Sequence, residues 1–365
     1  MKIGILTLPL VDNYGGILQT VALCKFLEKN GHELVLINKN LHIPLWKKSI
    51  KYFLSLIFPK KYDIKNQIKR KKIHKGFIEN KIKNISKILI TTSDLKNYVK
   101  SENFDAIIVG SDQVWRKQYI NDKYYKTFFL DFVNENTKKI AYAASFGKNQ
   151  WEGENDIDEI SLLLNKFNAI STREITGVEL LNKIFNYKKA THVLDPTLLM
   201  NKNFYIDNII EKNSLLNINR GGITTYVLDE ANNKKEIIDF ISNTLNIKSI
   251  NHLKGFKHSN TTYTIPQWLL MIAYCDFVVT DSFHGMIFSI IFEKNFLIIG
   301  NQNRGLERFT SLLSELNLLN RLISKVEQIK PETYENIDYN KVNNILDKKR
   351  EESINFLNNS LMETN

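Results

Sequence analysis

The first thirty-eight residues, MKIGILTLPLVDNYGGILQTVALCKFLEKNGHELVLIN (1–38), set the pattern by which the rest of the chain is read. Ile3 to Leu8 is a short apolar run of strand length. Asp12-Asn13-Tyr14-Gly15-Gly16 follows as a polar loop carrying two glycines. From Ile17 to Asn30 apolar residues recur at helical spacing, with Leu18, Val21, Ala22 and Leu27 on the inward face, and Gly31 is a stop signal. Glu33 to Asn38 is again rich in Leu, Val and Ile. A strand, a crossover helix and a near-continuous apolar strand predict a parallel sheet covered on both faces.

The rhythm recurs outward from this unit. Strands are predicted at 104–109, 139–144, 169–171 and 192–194, with a helix after Arg173 running to about Ile184. A second alternating series starts at Thr224, with strands at 224–228, 248–252, 277–280 and 296–300. Its helices are expected at 233–245, 266–275, 284–293 and 305–316, and Tyr339 to Leu361 reads as one long polar helix. The expected fold class is α/β: two Rossmann-like domains, residues 1–195 and 196–330, face each other across a cleft, and 331–365 is a C-terminal helical tail. The length of 365 residues suits two domains of ~150–200 each.

An apolar fraction of 43% and a charged fraction of 24% exclude wholesale disorder, collagen and coiled coil. Cys24 and Cys275 are too few for a disulfide scaffold or a zinc knuckle, and both sit in apolar helical patterns that predict buried thiols. The N-terminal apolar run lacks a small-residue cleavage site and reads as a strand, and no apolar run nears the ~20 residues of a membrane span. A cytoplasmic protein is expected. The net charge is +11 but is not spread evenly. Between Leu45 and Ile90 fourteen Lys and Arg stand against two acids, Asp63 and Glu79, so this window carries +12 and the other 319 residues carry −1.

In open α/β sheets, ligands bind outside the carboxyl ends of the strands, so the residues just after strands are the candidates. Thr280-Asp281-Ser282-Phe283-His284-Gly285 turns a strand into a helix. Asp281 or Ser282 can cap that helix, and His284 falls at its first turn, where the helix dipole favours an anion. The bland alternative is a capping turn with a structural histidine. Arg304 and Arg308 are four apart at the next helix start and share a face, and Arg173 follows a strand in the first half. Guanidinium groups suit bidentate grip on carboxylate or phosphate; surface pairs with Glu307 and Glu174 are the competing explanation. Asn13, Gly15 and Gly16 allow close backbone approach to a ligand, but they form neither GxGxxG nor a Walker motif. Ser145, in Ser145-Phe146-Gly147, is another polar strand end. With no HExxH and no GxSxG in the chain, these residues predict metal-independent handling of a small, strongly anionic substrate.

Several runs together give a more specific identity. The DNYGG loop, FDAIIVGSDQVW (104–115), IAYAASFG (140–147), STRE (171–174), DPT (195–197) and TDSFHG (280–285) occur in an order that resembles the polysaccharide pyruvyl transferase family. The resemblance spans about residues 1–316. It implies a GT-B-like fold and transfer of a pyruvyl group from phosphoenolpyruvate to two hydroxyls of a sugar, forming a cyclic ketal. No cofactor is implied beyond that donor. By resemblance His284 is the acid/base residue, Arg173 grips the donor's carboxylate or phosphate, and Asn13, Gly15 and Gly16 line the acceptor side. Arg304, Arg308, Ser145, Asp281 and Ser282 are carried as further substrate-binding candidates. The implied acceptor is a glycan, either a cell-surface polysaccharide or its lipid-linked precursor. Several branches of the family carry an acid after the first glycine loop; this chain has Ile17-Leu18-Gln19 there. The alternatives are a GT-B glycosyltransferase using a nucleotide sugar and, more remotely, a basic nucleic-acid-binding protein.

The basic window begins with an amphipathic pattern. Over residues 45–61, Trp46, Ile50, Phe53, Leu54 and Ile57 share one helical face, Lys47, Lys48, Lys51 and Ser55 take the other, and Pro59 ends the helix. Three readings stay open: peripheral contact with the anionic inner face of the plasma membrane, packing onto the domain's own sheet, or docking of a protein partner. A nucleic-acid partner is not expected, because the charges interleave with an apolar stripe and no nucleic-acid-binding motif accompanies them.

Overall fold

The structure is a computed structural model that describes residues 1–10, 13–40, 45–57, 64–120, 124–210, 220–229, 231–254, 263–300 and 305–362. Two parallel sheets organise it. The first takes β1 (Lys2–Leu6), β2 (Glu33–Ile37), β3 (Ala106–Asp112), β4 (Lys138–Ala144), β5 (Ala169–Thr172) and β6 (Thr191–His192), in the order β2-β1-β3-β4-β5-β6. The second takes β7 (Ile223–Val227), β8 (Ile250–Lys254), β9 (Phe277–Thr280), β10 (Asn295–Ile299) and β11 (Leu322–Ile323), in the order β11-β10-β9-β7-β8. Every strand pairing in both sheets is parallel. The order reverses between β1 and β3 in the first sheet and between β7 and β9 in the second, so each sheet has a switch-point crevice at its carboxyl edge.

Helices cover the sheets. The first half contributes α1 (Tyr14–Lys29), α2 (Leu45–Ile57), α3 (Ile64–Lys81), α4 (Thr92–Glu102), α5 (Ile157–Leu164) and α6 (Ile175–Phe185). After the short α7 (Lys202–Tyr205), the second half adds α8 (Asn232–Thr244), α9 (Ile265–Ala273), α10 (Phe283–Ile291) and α11 (Glu307–Glu315). The short α12 (Pro331–Tyr334) and the long α13 (Tyr339–Met362) complete the chain. Local signals place these elements well. In α4 the Thr91 hydroxyl accepts from Asp94 N while Asp94 accepts from Thr91 N, and Asn103 closes the helix in a left-handed conformation. In α9 Thr264 and Gln267 make the same reciprocal cap, followed by Pro266 in the first turn.

Three predicted boundaries change. The loop through Gly15 and Gly16 is helix, because α1 already starts at Tyr14. Tyr14 is anchored from outside its own segment: its ring stacks on Trp268 at 5.3 Å and its hydroxyl donates to the Tyr263 carbonyl at 2.8 Å. The strand expected at 104–109 runs on to Asp112, because Gly110 and Asp112 still pair with β4. The strand expected to end at Leu194 keeps only Thr191 and His192. The C-terminal helix returns to the first sheet rather than standing apart: Ser353 Oγ accepts from Leu194 N, Lys138 Nζ donates to Leu361 O, and Arg350 Nε donates to Leu198 O. Asp195 begins the chain's passage from one sheet to the other, and Leu198 and Leu199 beyond it lie in the same apolar core as α1 and α10.

α1 is buried on nearly every side, not on one stripe. Its polar Gln19 and Thr20 are therefore satisfied internally. Gln19 donates to Thr7 Oγ1, Gly16 O and Thr20 Oγ1, and its amide oxygen accepts from Ser111 N at 3.2 Å. One buried amide thus pins the start of α1 to the ends of β1 and β3.

Candidate active site

Five strand ends converge on one buried charge cluster. Arg173, one residue past β5, lies at its centre with a side chain only 1% exposed. Its Nη1 is 3.0 Å from Asp195 Oδ2, its Nη2 is 3.4 Å from Asp112 Oδ1, and its Nε is 3.4 Å from Glu174 Oε1. A single guanidinium therefore gathers acids from the ends of β3, β5 and β6. Burial works against its charge, and Glu174, Asp112 and Asp195 more than restore it, holding Arg173 above the usual arginine range. Asp195 shows the reverse balance. Burial would raise its carboxyl, but His284, Arg173 and Thr197 hold it well below the usual carboxylate range. Its oxygens accept from Thr197 N at 3.0 Å, Thr197 Oγ1 at 2.7 Å and Ser111 Oγ at 3.3 Å.

The second half supplies the histidine. Ser282 caps α10 by accepting from Gly285 N, and His284 follows in the first turn, buried. Its Nε2 lies 3.6 Å from Asp195 Oδ2, just beyond hydrogen-bond length. Its other edge rests on the first half: a Cβ on Gly15 would stand 2.0 Å from His284 Nδ1. Only a residue without a side chain fits there. The ring is thereby clamped between the start of α1 and the carboxylate that follows β6.

Arg308, near the start of α11, completes the cluster. Its guanidinium carbon lies 5.3 Å from the centre of the Phe283 ring, and that of Arg173 lies 4.6 Å from the same centre. Burial and then repulsion from Arg173 lower the Arg308 pKa to about 10, despite Glu174 and Asp112 nearby. An anion entering beside it would offset both effects by stabilising the charged guanidinium.

Of the predicted site residues, His284, Arg173 and Arg308 meet in this cluster, and Gly15 touches it directly. Asn13 Nδ2 donates to Asp112 Oδ2 at 3.2 Å, and Ser145 Oγ donates to Glu174 Oε1 at 2.5 Å, so both hold its acids. Gly16 faces the Asn13 amide one turn edge away. Arg304 falls outside the described residues. Asp281 is placed differently from expectation. Its carboxylate is fully buried, pairs with Lys234 Nζ at 2.6 Å, and accepts from Leu228 N at 2.7 Å and Asp229 N at 3.4 Å. It fastens the turn after β7 instead of facing a ligand, and Ser282 serves as a cap. Arg173 also differs, since three acids already occupy its fork.

Asp112, Glu174 and Asp195 were not singled out from the sequence, although each stands at or just past a strand end. Weighing cations alone at those positions hides them; counting every charged residue there brings them forward.

Solved structures with the same arrangement of elements support the fold. A UDP-GlcNAc 2-epimerase from Neisseria meningitidis bound to UDP-GlcNAc matches over 98% of this chain and 99% of its own, with a TM-score of 0.54 at 11% identity. The UDP-GlcNAc 2-epimerase of Methanocaldococcus jannaschii matches over 97% and 92%, with a TM-score of 0.51 at 13% identity. At such identities the likeness establishes the GT-B-like architecture alone. No curated protein matches the sequence. The sequence model described as polysaccharide pyruvyl transferase matches residues 13–303, from the start of α1 past the histidine turn and β10, and the chain therefore belongs to the polysaccharide pyruvyl transferase family.

Proposed function

We propose that this protein transfers the pyruvyl group of phosphoenolpyruvate to two hydroxyls of a sugar, in a cell-surface polysaccharide or its lipid-linked precursor, and releases phosphate. The observation that carries this reading is the clamped His284 beside Asp195, next to two buried guanidinium groups at the start of α10. Phosphoenolpyruvate brings a carboxylate and a phosphate on adjacent groups. The Arg308 guanidinium and the positive end of α10 favour such a ligand. The proton of one sugar hydroxyl passes to the methylene carbon as that oxygen bonds to C2. The C2–O bond to phosphate then breaks, a second hydroxyl closes the ring, and its proton leaves with phosphate. The balance is one diol plus phosphoenolpyruvate giving one ketal plus inorganic phosphate.

His284 is the group proposed to move these protons, a role commonly worth ~10²–10⁴-fold in rate. Asp195 orients the ring, and Arg173 keeps Asp195 ionised and in place. Both are positioning residues. Gly15 admits the ring to the cleft, and Arg308 holds the donor.

The test is an acceptor screen with phosphoenolpyruvate, reading phosphate release together with product mass. The expected product gains one pyruvate less one water. His284→Ala is expected to abolish release while the melting temperature stays close to that of the wild type. Retained turnover in that variant removes His284 from the mechanism. Calorimetric binding of nucleotide sugars with no binding of phosphoenolpyruvate would overturn the donor assignment.

A further inference from the structure

The site just described leaves the most basic part of the chain unused. α2 carries Trp46, Ile50, Phe53 and Ile57 at intervals of four, three and four residues, so they share one face of the helix. They are 59, 50, 62 and 53% exposed. Tyr52 beside them is 61% exposed, and Ile68 on the following helix 63%. Each of these is at least half exposed while Leu54 on the same face is partly buried, so most of the face lies at the surface. Lys47, Lys48 and Lys51 occupy the complementary positions of α2, and the helix contains no acid. α3 continues the charge with exposed Lys69, Lys71, Lys72 and Lys75, against a single acid, Glu79.

We propose that α2 docks the protein on an anionic lipid bilayer, with the Trp46–Ile50–Phe53–Ile57 face in the headgroup–acyl boundary and the lysines of α2 and α3 against acidic headgroups. The sign and distribution of charge choose this occupant. A protein-binding groove helix needs a counterpart cleft and pairs with a few acids. Here an apolar strip with two large aromatics is bordered by one-signed charge on its own helix and the next, which matches a surface that is apolar in depth and negative at its face. No helix among the described residues is long and apolar enough to cross a membrane, so the contact is peripheral.

The experiment is co-sedimentation of the full-length protein with vesicles of phosphatidylglycerol and phosphatidylcholine, compared with phosphatidylcholine alone, at low and high salt. Binding is expected on the anionic vesicles and is expected to weaken at high salt, because screening removes the headgroup attraction. Phe53→Ser with Ile57→Ser, and separately Lys47, Lys48 and Lys51→Glu, should each lower bound protein about tenfold or more. The melting temperature should not move, since the substituted apolar groups are exposed. A blue shift in tryptophan fluorescence should accompany binding and vanish in Trp46→Phe, because Trp115 and Trp268 are fully buried and Trp151 is packed among Phe129, Phe146 and Phe185, away from α2. Wild-type protein that stays in the supernatant with anionic vesicles overturns the proposal. So does equal binding of the wild type and both variants. A dimer in light scattering that Phe53→Ser with Ile57→Ser makes monomeric, without vesicle binding, would assign the stripe to a second copy of the chain.

Discussion

Replacing Gly15 by alanine tests the placement of His284 with the smallest available change. The added Cβ would lie 2.0, 2.1 and 2.6 Å from Nδ1, Cγ and Cε1 of the imidazole. Ordinary contact begins near 3.4 Å, so the ring must retreat by roughly 1.4 Å. It is held on its far side by Asp195, itself fastened by Thr197, Ser111 and Arg173. Overpacking of this kind costs about 1–3 kcal/mol, and alanine returns about 1 kcal/mol of helix propensity to α1. The net loss of about 0–2 kcal/mol lowers Tm by no more than about 8 °C. Catalysis should suffer far more, because a displacement of about 1 Å at a reacting group can cost about 10²-fold. Gly16→Ala is the matched control. Its Cβ would meet the Asn13 amide at 3.1 Å, and that side chain can yield. The assay is phosphoenolpyruvate-dependent phosphate release with the acceptor identified by screening, alongside thermal melts. The expected result is about a hundredfold loss for Gly15→Ala and near-normal turnover for Gly16→Ala. Wild-type turnover in folded Gly15→Ala would refute the argument that the clamped ring is the reacting one.

Asp195→Asn removes one acid from a buried network and should destabilise the protein by about 3–5 kcal/mol at neutral pH. Because the folded pKa of Asp195 is depressed, its contribution is present above the unfolded value near ~4 and is lost as pH falls further. The Tm gap between wild type and variant should therefore narrow below that pH; a gap that is constant with pH would show that Asp195 is not ionised in the fold. Asp281→Asn should lower Tm through its Lys234 pairing while leaving calorimetric binding of phosphoenolpyruvate unchanged; weakened binding in a fully folded variant would return Asp281 to the substrate site. Burial pushes the Cys24 thiol up to about 12 and the Cys275 thiol above its ordinary value. Native protein at pH 8 should give no rapid thiol titre, and denatured protein should give both; a fast native titre would contradict the packing of α1 or of the turn between α9 and β9.

Much of this architecture was legible from local signals. Four strands of the second sheet and the helices between them lie within two residues of their predicted bounds, because apolar runs and caps are written locally, whereas the two-residue β11 has no predicted counterpart. What failed was decided at a distance. Two adjacent glycines read as loop, yet Tyr14 is held into α1 by Trp268 and Tyr263, about 250 residues away. Arg173 beside Glu174 reads as either an anion-gripping cation or a surface pair, and only the convergence of β3, β5 and β6 turns it into the hub of a buried network. In α2 the spacing declares an apolar face but not what that face touches; its exposure had to be seen in the fold.

The way the halves meet explains why the site is spread over so many strand ends. Among the places where they meet, two depend on a missing side chain. Gly15 lies against His284, and a Cβ on Gly305 would stand 2.0 Å from the carbonyl oxygen of Gly147. Gly147 and Gly305 both have positive φ, 69° and 78°, so glycine is favoured there twice over, by space and by backbone. Side chains at these points would wedge the halves apart and carry His284 away from Asp195. The histidine belongs to the second sheet and the three acids to the first. Neither sheet alone holds an oriented acid–base pair; it exists only where glycine lets the two carboxyl edges close on each other. A catalytic group assembled this way is sensitive to any residue that changes the spacing between the halves, including those that never touch a ligand. On that ground Gly305→Ala should impair turnover much as Gly15→Ala does, although its Cβ would meet Gly147 instead of the imidazole, and normal turnover there would mean that the pair tolerates a wider cleft than its 3.6 Å separation suggests.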